Sequence, residues 1–508
     1  MGLEIHNSLS RQKEPFRTLV PGAVSMYVCG PNLYGPAHVG HALSYIFFDV
    51  VRRYLEYKGL EVRHVQNFTD IEDRIVARAQ EEGRSIFAIA QEYIERFLQE
   101  MDALRVQRAH HYPRATEVIP KMIEIIEGLI TGGHAYTVDG DVYFRVTSFP
   151  RYGLLSGRSL EQMQAGARIE VDERKEHPMD FALWKASRPG EPSWESPWGQ
   201  GRPGWHIECS AMSMQFLGEQ IDLHGGGDDV RFPHHENEIA QSEAYTGRAP
   251  FARFWVHNAL MKPPVGDEMH RHLGNFVAIR DALARYEPDA IRLFVLSAHY
   301  RTPSRWTDEA VDAAGRGLER LRAALANADT VLGGHPVPSP DGPMAQRASE
   351  IRTAFERAMD DDFGTPQAIA VLFDLAAEIN RAAGAAMAGN PGASGGMAQA
   401  ASALRTLAGV LGLRVVPDAI PPEAAAAVFQ ILDEMRAADP ALFPGEGSTP
   451  GAEEAVALLL SGRSRAREAR RFALADLVRA RLGEAGIAVE DLPGGSRWRL
   501  VSRRDARA

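Results

Sequence analysis

The chain is poor in cysteine: Cys29 and Cys209 are its only two in 508 residues. So few thiols exclude a disulfide framework, and in a reducing compartment even one bridge is disfavoured. Long apolar runs are missing too; none approaches the ~20 residues that a membrane span requires. The opening MGLEIHNSLS has neither the basic nor the apolar region of a secretory leader, so the expected location is cytoplasmic. Positive charge is short overall. A formal net charge of −11 argues against a general polyanion binder. The shortage is not uniform, because residues 461–508 hold twelve Arg against six Asp or Glu, a local +6. That tail is either a solvated helix face or a surface for a phosphate-bearing partner. What remains is an ordinary globular composition, 45% hydrophobic and 24% charged, with chain enough for about three domains.

Val24–Val28 reads as a short buried strand that ends at Cys29. A Gly/Pro-rich turn follows, then a helix from about His38 to Lys58 with Ala42, Tyr45, Ile46, Val50 and Tyr54 on one face. Val62–Phe68 reads as a second strand, completing a parallel strand–helix–strand unit. Ligands bind where strands end and helices begin in such sheets. His38, Gly40 and His41 stand at that helix start, where unpaired N–H groups and the positive dipole end suit an anion and a glycine lets a nucleotide come close. Helices are expected at about 71–82, 85–105 and 116–131. Residues 134–200 read as an inserted, less regular domain. The sheet resumes near Gln220–Leu223, and a Gly225–Gly226–Gly227 turn, a helix opening at Pro233 and a strand at Phe254–Leu260 follow. From about 280 the chain reads as helical, over 308–330, 344–361 and 365–388, with flexible links at Gly333–Pro343 and Gly389–Gly396. A final unit carries a basic helix, Glu453–Leu482, then Ile487–Val489 and Gly494–Arg499.

Cys29 and Cys209 acquire a second reading beside Pro233–Glu238, PHHENE. His234 and Glu238 are four apart, so they share a helix face. Two thiolates, an imidazole and a carboxylate form a four-ligand Zn²⁺ set. The alternative is bland: two buried small hydrophobes and a solvated helix pair. The cysteines are too far apart for a local zinc finger, so the fold must assemble any such site. A Zn²⁺ held this way has a use, because a substrate thiol sheds its proton on the cation and binds as a further ligand. A hydroxyl is a poor ligand for a soft site. Such a site would separate cysteine from serine, and a site built around one heteroatom rejects the analogue by roughly 10⁴–10⁵-fold.

Longer stretches carry a resemblance. YVCGPNLYGPAHVGHA, VQNFTDIEDRI, YPRATEVI, DFALWKASRPGEPSWESPWGQGRPGWHIECSAMS, HGGGDDVRFPHHENEIAQSEA, LGNFVAIRDAL, AMDDDFGTPQAIAVLFDLAAEIN and RFALADLVRARL resemble the cysteine–tRNA ligases, class I aminoacyl-tRNA synthetases, over nearly the whole chain. The resemblance implies an α/β Rossmann-type core with an insertion domain, then a helical bundle and a small C-terminal anticodon-binding region. The divisions expected are 1–115 and 204–262 for the two halves of the core, 116–203 for the insertion, 263–307 for the signature-loop region, 308–405 for the bundle and 406–508 for the tRNA-anticodon region. It implies Zn²⁺, one per chain, on Cys29, Cys209, His234 and Glu238, with ATP and Mg²⁺ as substrate at His38, Gly40 and His41. It implies L-cysteine held by Thr69 and Trp205, with His224 and Asp229 in the matching glycine loop, and tRNA(Cys) as partner of a monomer without a membrane.

One motif departs from the family. Where the family has Lys-Met-Ser-Lys-Ser, the frame set by Gly266 and by Leu273–Gly274–Asn275 encloses Glu268–Met269–His270–Arg271–His272. Arg271 keeps the sign of the second lysine and is the expected phosphate contact; Glu268 reverses the sign of the first. His270 and His272 compensate only if protonated. Asn32 stands for a Thr, Arg74 for a Lys and Asp228 for a Ser. Two alternatives follow: a paralogue that activates cysteine for a non-tRNA amine acceptor, or a catalytically weak cysteine and tRNA binder. The family's relative that uses an amino-sugar acceptor lacks the C-terminal region retained here. Preorganised charge on a reacting phosphate is worth roughly 10²–10³ in rate per group. Glu268→Lys is therefore expected to speed adenylate formation in a single-turnover assay; no gain would show that the loop has compensated by other means.

Overall fold

The structure, a computed structural model, describes residues 2–32, 34–166, 173–188, 190–266, 275–333, 339–415, 420–444, 451–492 and 495–500. Two units separate, Met1–Leu283 with Pro288–Leu413, and Ala284–Glu287 with Arg414–Ala508. The heart of the first is a parallel sheet of β1 (Ala23–Val28), β2 (Glu61–Gln66), β3 (Ile221–Gly227) and β4 (Ala252–Asn258), in the order β2-β1-β3-β4. Val24, Met26, Tyr27 and Val28 are all buried, as a strand covered on both faces requires. Helix α1 (Val39–Tyr57) carries the chain from β1 to β2, and it keeps His38 as its N-cap residue. The order turns in opposite directions from β1 and from β3, so the crevice between their carboxyl ends is a topological switch point.

The second strand stops at Gln66, short of the expected Phe68. Asn67 turns its side chain to accept from the Gly30 amide at 2.7 Å, and the Phe68 amide donates to Pro113 O at 2.9 Å. The three glycines do not form a turn. They finish β3, and at Gly225 a Cβ would stand 2.2 Å from the Phe48 ring. The insertion is more regular than its composition suggests: Ala135–Val138, Asp141–Phe144, Phe181–Ala186 and Gly201–Pro203 form a four-stranded antiparallel sheet. It delivers the chain to helix α2 (Trp205–Leu217). The helix expected from Pro233 begins in full only at Glu236, as α3 (Glu236–Thr246). Arg231–His235 before it is a wider turn, interrupted by extended backbone at Phe232.

Helices Asp308–Leu332, Pro343–Asp360, Thr365–Met387 and Met397–Val410 follow. The supposed link at Gly389–Gly396 is packed: it holds a short helix, Pro391–Ser394, and its Gly395 carbonyl accepts from the Met344 amide at 3.1 Å. Residues 334–338 of the other link lie outside the described ones. In the second unit the long basic helix is two, Ala452–Glu468 and Phe472–Glu484, broken where Arg470 takes a φ of 57°. Val428, Leu432, Leu459, Val478 and Leu482 form its core. Arg463 grips Asp491 with both guanidinium nitrogens at 2.6 and 3.0 Å, which holds the hairpin Ile487–Leu492 with Gly495–Leu500.

One buried ion pair ties α1 to later segments of the first unit. Arg292 and Asp49 are fully buried, 2.5 Å apart, and Arg292 also donates to Leu104 O and Leu411 O. Burial pushes the Asp49 carboxyl up, but Arg292 and Arg53 outweigh it and hold it below the usual range. Its contribution is present above the unfolded pKa and is lost as pH falls through the folded one. Arg292→Ala strands the carboxylate and is expected to destabilise the first unit by about 3–5 kcal/mol, read as a lower midpoint in denaturant unfolding. An unchanged midpoint would remove the pair from the account.

Candidate active site

A cleft of about 1230 Å³ opens at the switch point, bordered by Cys29, His38, His41, Trp205, Glu208 and Asp229. The end of β1 makes one wall. The Cys29 amide donates to Gly225 O at 2.9 Å, which continues the β1–β3 ladder. Gly30 is required next, since a Cβ there would stand 1.7 Å from Asn67 O.

Sulfur and imidazole donors meet below that wall. The ligand atoms of Cys29, Cys209 and His234 lie within 4.8 Å of one another. Cys209 comes from α2, and its Sγ is 3.3 Å from His234 Nε2. Glu238, one turn further along, places Oε1 at 3.2 Å from the same nitrogen. Its other oxygen meets His224 Nε2 at 2.8 Å, and His224, His235 and Glu238 form an adjoining cluster. The four residues expected to share a metal are thus brought together. Their orientation is held from outside: His234 Nδ1 pairs with His206 Nδ1 at 3.1 Å, and the Trp205 ring stacks on His234 with centroids 4.4 Å apart.

Electrostatics point the same way. Burial pushes the Glu238 carboxyl far up and the His234 imidazole far down. Burial, with Cys29 beside it, pushes the Cys209 thiol up. Glu238 Oε1 has no hydrogen-bond partner. Donors of this kind with an unsatisfied carboxylate oxygen could hold a cation. Two sulfurs, one nitrogen and one oxygen suit a borderline-soft divalent ion.

The other end of the cleft is built from α1. Gly40 N donates to His38 Nδ1 at 3.1 Å, and His38 N donates to His41 Nδ1 at 3.1 Å. Both δ nitrogens accept, so the assigned neutral rings carry their protons on Nε2. Burial, and then His38 itself, holds His41 well below its usual pKa. The cap of the helix is therefore made by two histidines, each through its Nδ1. Gly40 allows this, because a Cβ there would stand 2.8 Å from the His38 ring. The segment after the signature loop docks here too: Val39 N donates to Val277 O at 3.0 Å, and Phe276 packs edge-on against His38. Arg271 and the rest of 267–274 lie outside the described residues.

Among the remaining expected contacts, Trp205 and Asp229 border the cleft. Burial raises the Asp229 carboxyl. Thr69 is buried and donates to Glu208 Oε2 at 2.9 Å. His224 is fully buried, stacks on Trp255 and meets Glu238; it is not among the cleft-bordering residues. Sequence reasoning passed over Glu208, His206 and the relay behind the metal donors, in which His235 Nδ1 meets His257 Nε2 and His257 Nδ1 meets Ser8 Oγ, each at 2.8 Å. Their signal was a density of polar residues in the stretches WHIECS and PHHENE, too apolar in setting to be surface.

This combination of split parallel sheet, histidine-capped helix and switch-point cleft defines a class I aminoacyl-tRNA synthetase fold. Solved structures agree: a Mycobacterium tuberculosis methionyl-tRNA synthetase in complex with methionyl-adenylate matches with a TM-score of 0.60 at 15% identity, covering 81% of this chain and 94% of that one. A putative arginyl-tRNA synthetase from Campylobacter jejuni matches at 0.53 and 12% identity, over 77% and 93%. Residues 15–316 match the family of class I (C) tRNA synthetase catalytic domains, 354–415 the DALR domain and 449–499 the cysteinyl-tRNA ligase anticodon binding domain. Cysteine–tRNA ligases from Dehalococcoides mccartyi and Desulfitobacterium hafniense are 46% and 47% identical, each over 98% of this chain and 100% of the relative. The chain belongs to the cysteine–tRNA ligase family.

A shift of about 1 Å in a positioning group can lower a rate by about 10². Gly40→Ala, which pushes on the His38 ring, is expected to slow cysteine-dependent ATP–pyrophosphate exchange by about that factor while leaving bound metal unchanged. An unaffected rate would mean the two histidine rings do not serve the nucleotide.

Proposed function

We propose that this chain activates L-cysteine with ATP and Mg²⁺ and transfers it to tRNA(Cys) in the cytoplasm. The observation that carries the reading is the grouping of Cys29, Cys209 and His234 within 4.8 Å, with Glu238 3.2 Å from His234, behind a class I cleft that Cys29 borders. In this reading those four residues hold one Zn²⁺. Bound there, the ion would supply charge that favours the thiolate of the substrate and a preference for sulfur over hydroxyl oxygen.

The chain's own residues do the rest. Trp205 keeps the His234 ring in place and forms part of the wall against which cysteine lies, with Thr69 and Asp229 as further contacts. His38 and His41 direct Nε2–H groups at the ATP phosphates, at the positive end of α1. The cysteine carboxylate attacks the α-phosphorus in line, and pyrophosphate leaves. This step needs positioning and charge stabilisation but no protein nucleophile. Arg271 contributes positive charge to that end. A terminal 2′- or 3′-OH of tRNA then attacks the cysteinyl carbonyl, and AMP leaves. Residues 406–508, rich in arginine, supply the anticodon-binding surface, 308–405 the helical bundle between, and 116–203 the insertion. A matched anticodon binding domain over 449–499 favours tRNA over a small amine acceptor. No helix among the described residues is long and apolar enough to cross a membrane.

The weak-binder alternative rests on Glu268 and is separated by one assay. Zinc-loaded protein is expected to catalyse cysteine-dependent ATP–pyrophosphate exchange and to charge purified tRNA(Cys); silence in both would leave a binder. Cys209→Ser is expected to lower bound zinc and to erase most of the discrimination between cysteine and serine in that exchange. Unchanged discrimination would count against the metal.

A further inference from the structure

We propose that Glu208, braced by Thr69, accepts the α-ammonium group of the amino-acid substrate. This rests on the cysteine-activating reading and assigns the end of the substrate opposite its thiol.

Glu208 sits on α2 directly before Cys209, and it is 0% exposed yet borders the cleft. Its two oxygens differ. Oε2 accepts from Thr69 Oγ1 at 2.9 Å, whereas Oε1 is buried without any hydrogen-bond partner. Among the described residues no Lys, Arg or His forms an ion pair with it. The charges that bear on it most come from Asp70, Glu72 and Cys29, all of one sign. Asp70 is answered by the Thr116 amide and hydroxyl at 3.1 and 2.6 Å. Glu72 also has one open oxygen, but Asn32 donates to the other at 3.2 Å and the Arg74 cation bears on it. Glu208 is the fully buried one of the three acids with an open oxygen and no cation.

A buried carboxyl oxygen left open in a low-dielectric pocket is stable only if something donates to it. A primary ammonium fits, with its compact positive charge and three N–H donors. The place fits as well. Cys209 is the next residue of the same helix, and only two carbons separate sulfur from amine in cysteine. Thr69 would add to the contact: its hydroxyl proton is committed to Glu208 and one lone pair accepts from Asn67 Nδ2 at 3.4 Å, which leaves the other to accept from the ammonium. The metal would then read the thiol and Glu208 the amine, fixing the substrate at two points before its carboxylate meets ATP.

Equilibrium binding tests this without turnover. L-cysteine and 3-mercaptopropionate, which lacks the amine, are titrated by calorimetry into the zinc-loaded full chain, wild type and Glu208→Gln. Glutamine keeps an acceptor for Thr69 but loses the charge. The expected result is cysteine binding weakened by about 10- to 100-fold, with 3-mercaptopropionate changed by less than about threefold. Zinc content should be unchanged. Equal weakening of both ligands, unchanged cysteine affinity, or the same amine-dependent loss from Glu72→Gln instead would overturn the proposal. Should Glu208→Gln fail to fold, Thr69→Val against Thr69→Ser decides. Valine is expected to weaken cysteine selectively and serine to restore it, and a valine variant equal to wild type would overturn the assignment. Failed exchange activity with the binding pattern intact would defeat the activation reading and leave this site standing.

Discussion

The structure depends on gathering the half-buried Cys29 with the buried Cys209, His234 and Glu238 where, among the described residues, no Lys or Arg forms an ion pair with them. Cys29 ends β1, Cys209 belongs to α2, and His234 and Glu238 straddle the start of α3. Together they set two sulfurs beside the His234 ring, with Glu238 Oε1, which lacks a hydrogen-bond partner, 3.2 Å from the ring's Nε2. An unsatisfied carboxylate oxygen beside two sulfurs and an imidazole is the chemistry behind the proposed divalent ion. The sheet order makes it possible, since pairing β1 with β3 across the switch point brings residues some 180 to 210 positions apart into one cluster.

The rest of the first unit serves that floor and the nucleotide above it. Trp205 and His206 fix the ring of His234, while His224 holds the second oxygen of Glu238. The opposite end is held for a different reason: two histidines cap α1 with their own rings, so the orientation of both rings is tied to the start of the helix. With the proposed ion in place, selectivity for sulfur would follow from coordination chemistry. The buried Asp49–Arg292 pair fastens α1 to later helices of the same unit, so the nucleotide end is supported through side chains far from it in sequence.

Much of this was legible in the sequence because its signals are local. The strand before Cys29, the helix after His38 and the amphipathic helices beyond 308 show their periodicity directly. That Cys29, Cys209, His234 and Glu238 come together was legible because thiols are so few that two beside an HHENE stretch stand out. Other features depend on packing and were hidden. Gly225–Gly227 looked like a turn, yet these glycines extend a strand that pairs with the next one through Asn258, and at Gly225 only a residue without a Cβ clears the Phe48 ring. Pro233 looked like a helix start, but backbone at Phe232 is extended and the regular helix waits until Glu236. Arg470 gave no local sign that it would break the basic helix. The burial of Glu208 and its bond to Thr69 depend on packing and carry no local sequence signal.

The most direct test of the central claim is zinc K-edge X-ray absorption on the purified chain, before and after adding L-cysteine. Two sulfur neighbours and two nitrogen or oxygen neighbours are predicted at first, with a third sulfur once cysteine binds. A metal-free protein, a shell without sulfur, or a shell that L-cysteine leaves unaltered would contradict it.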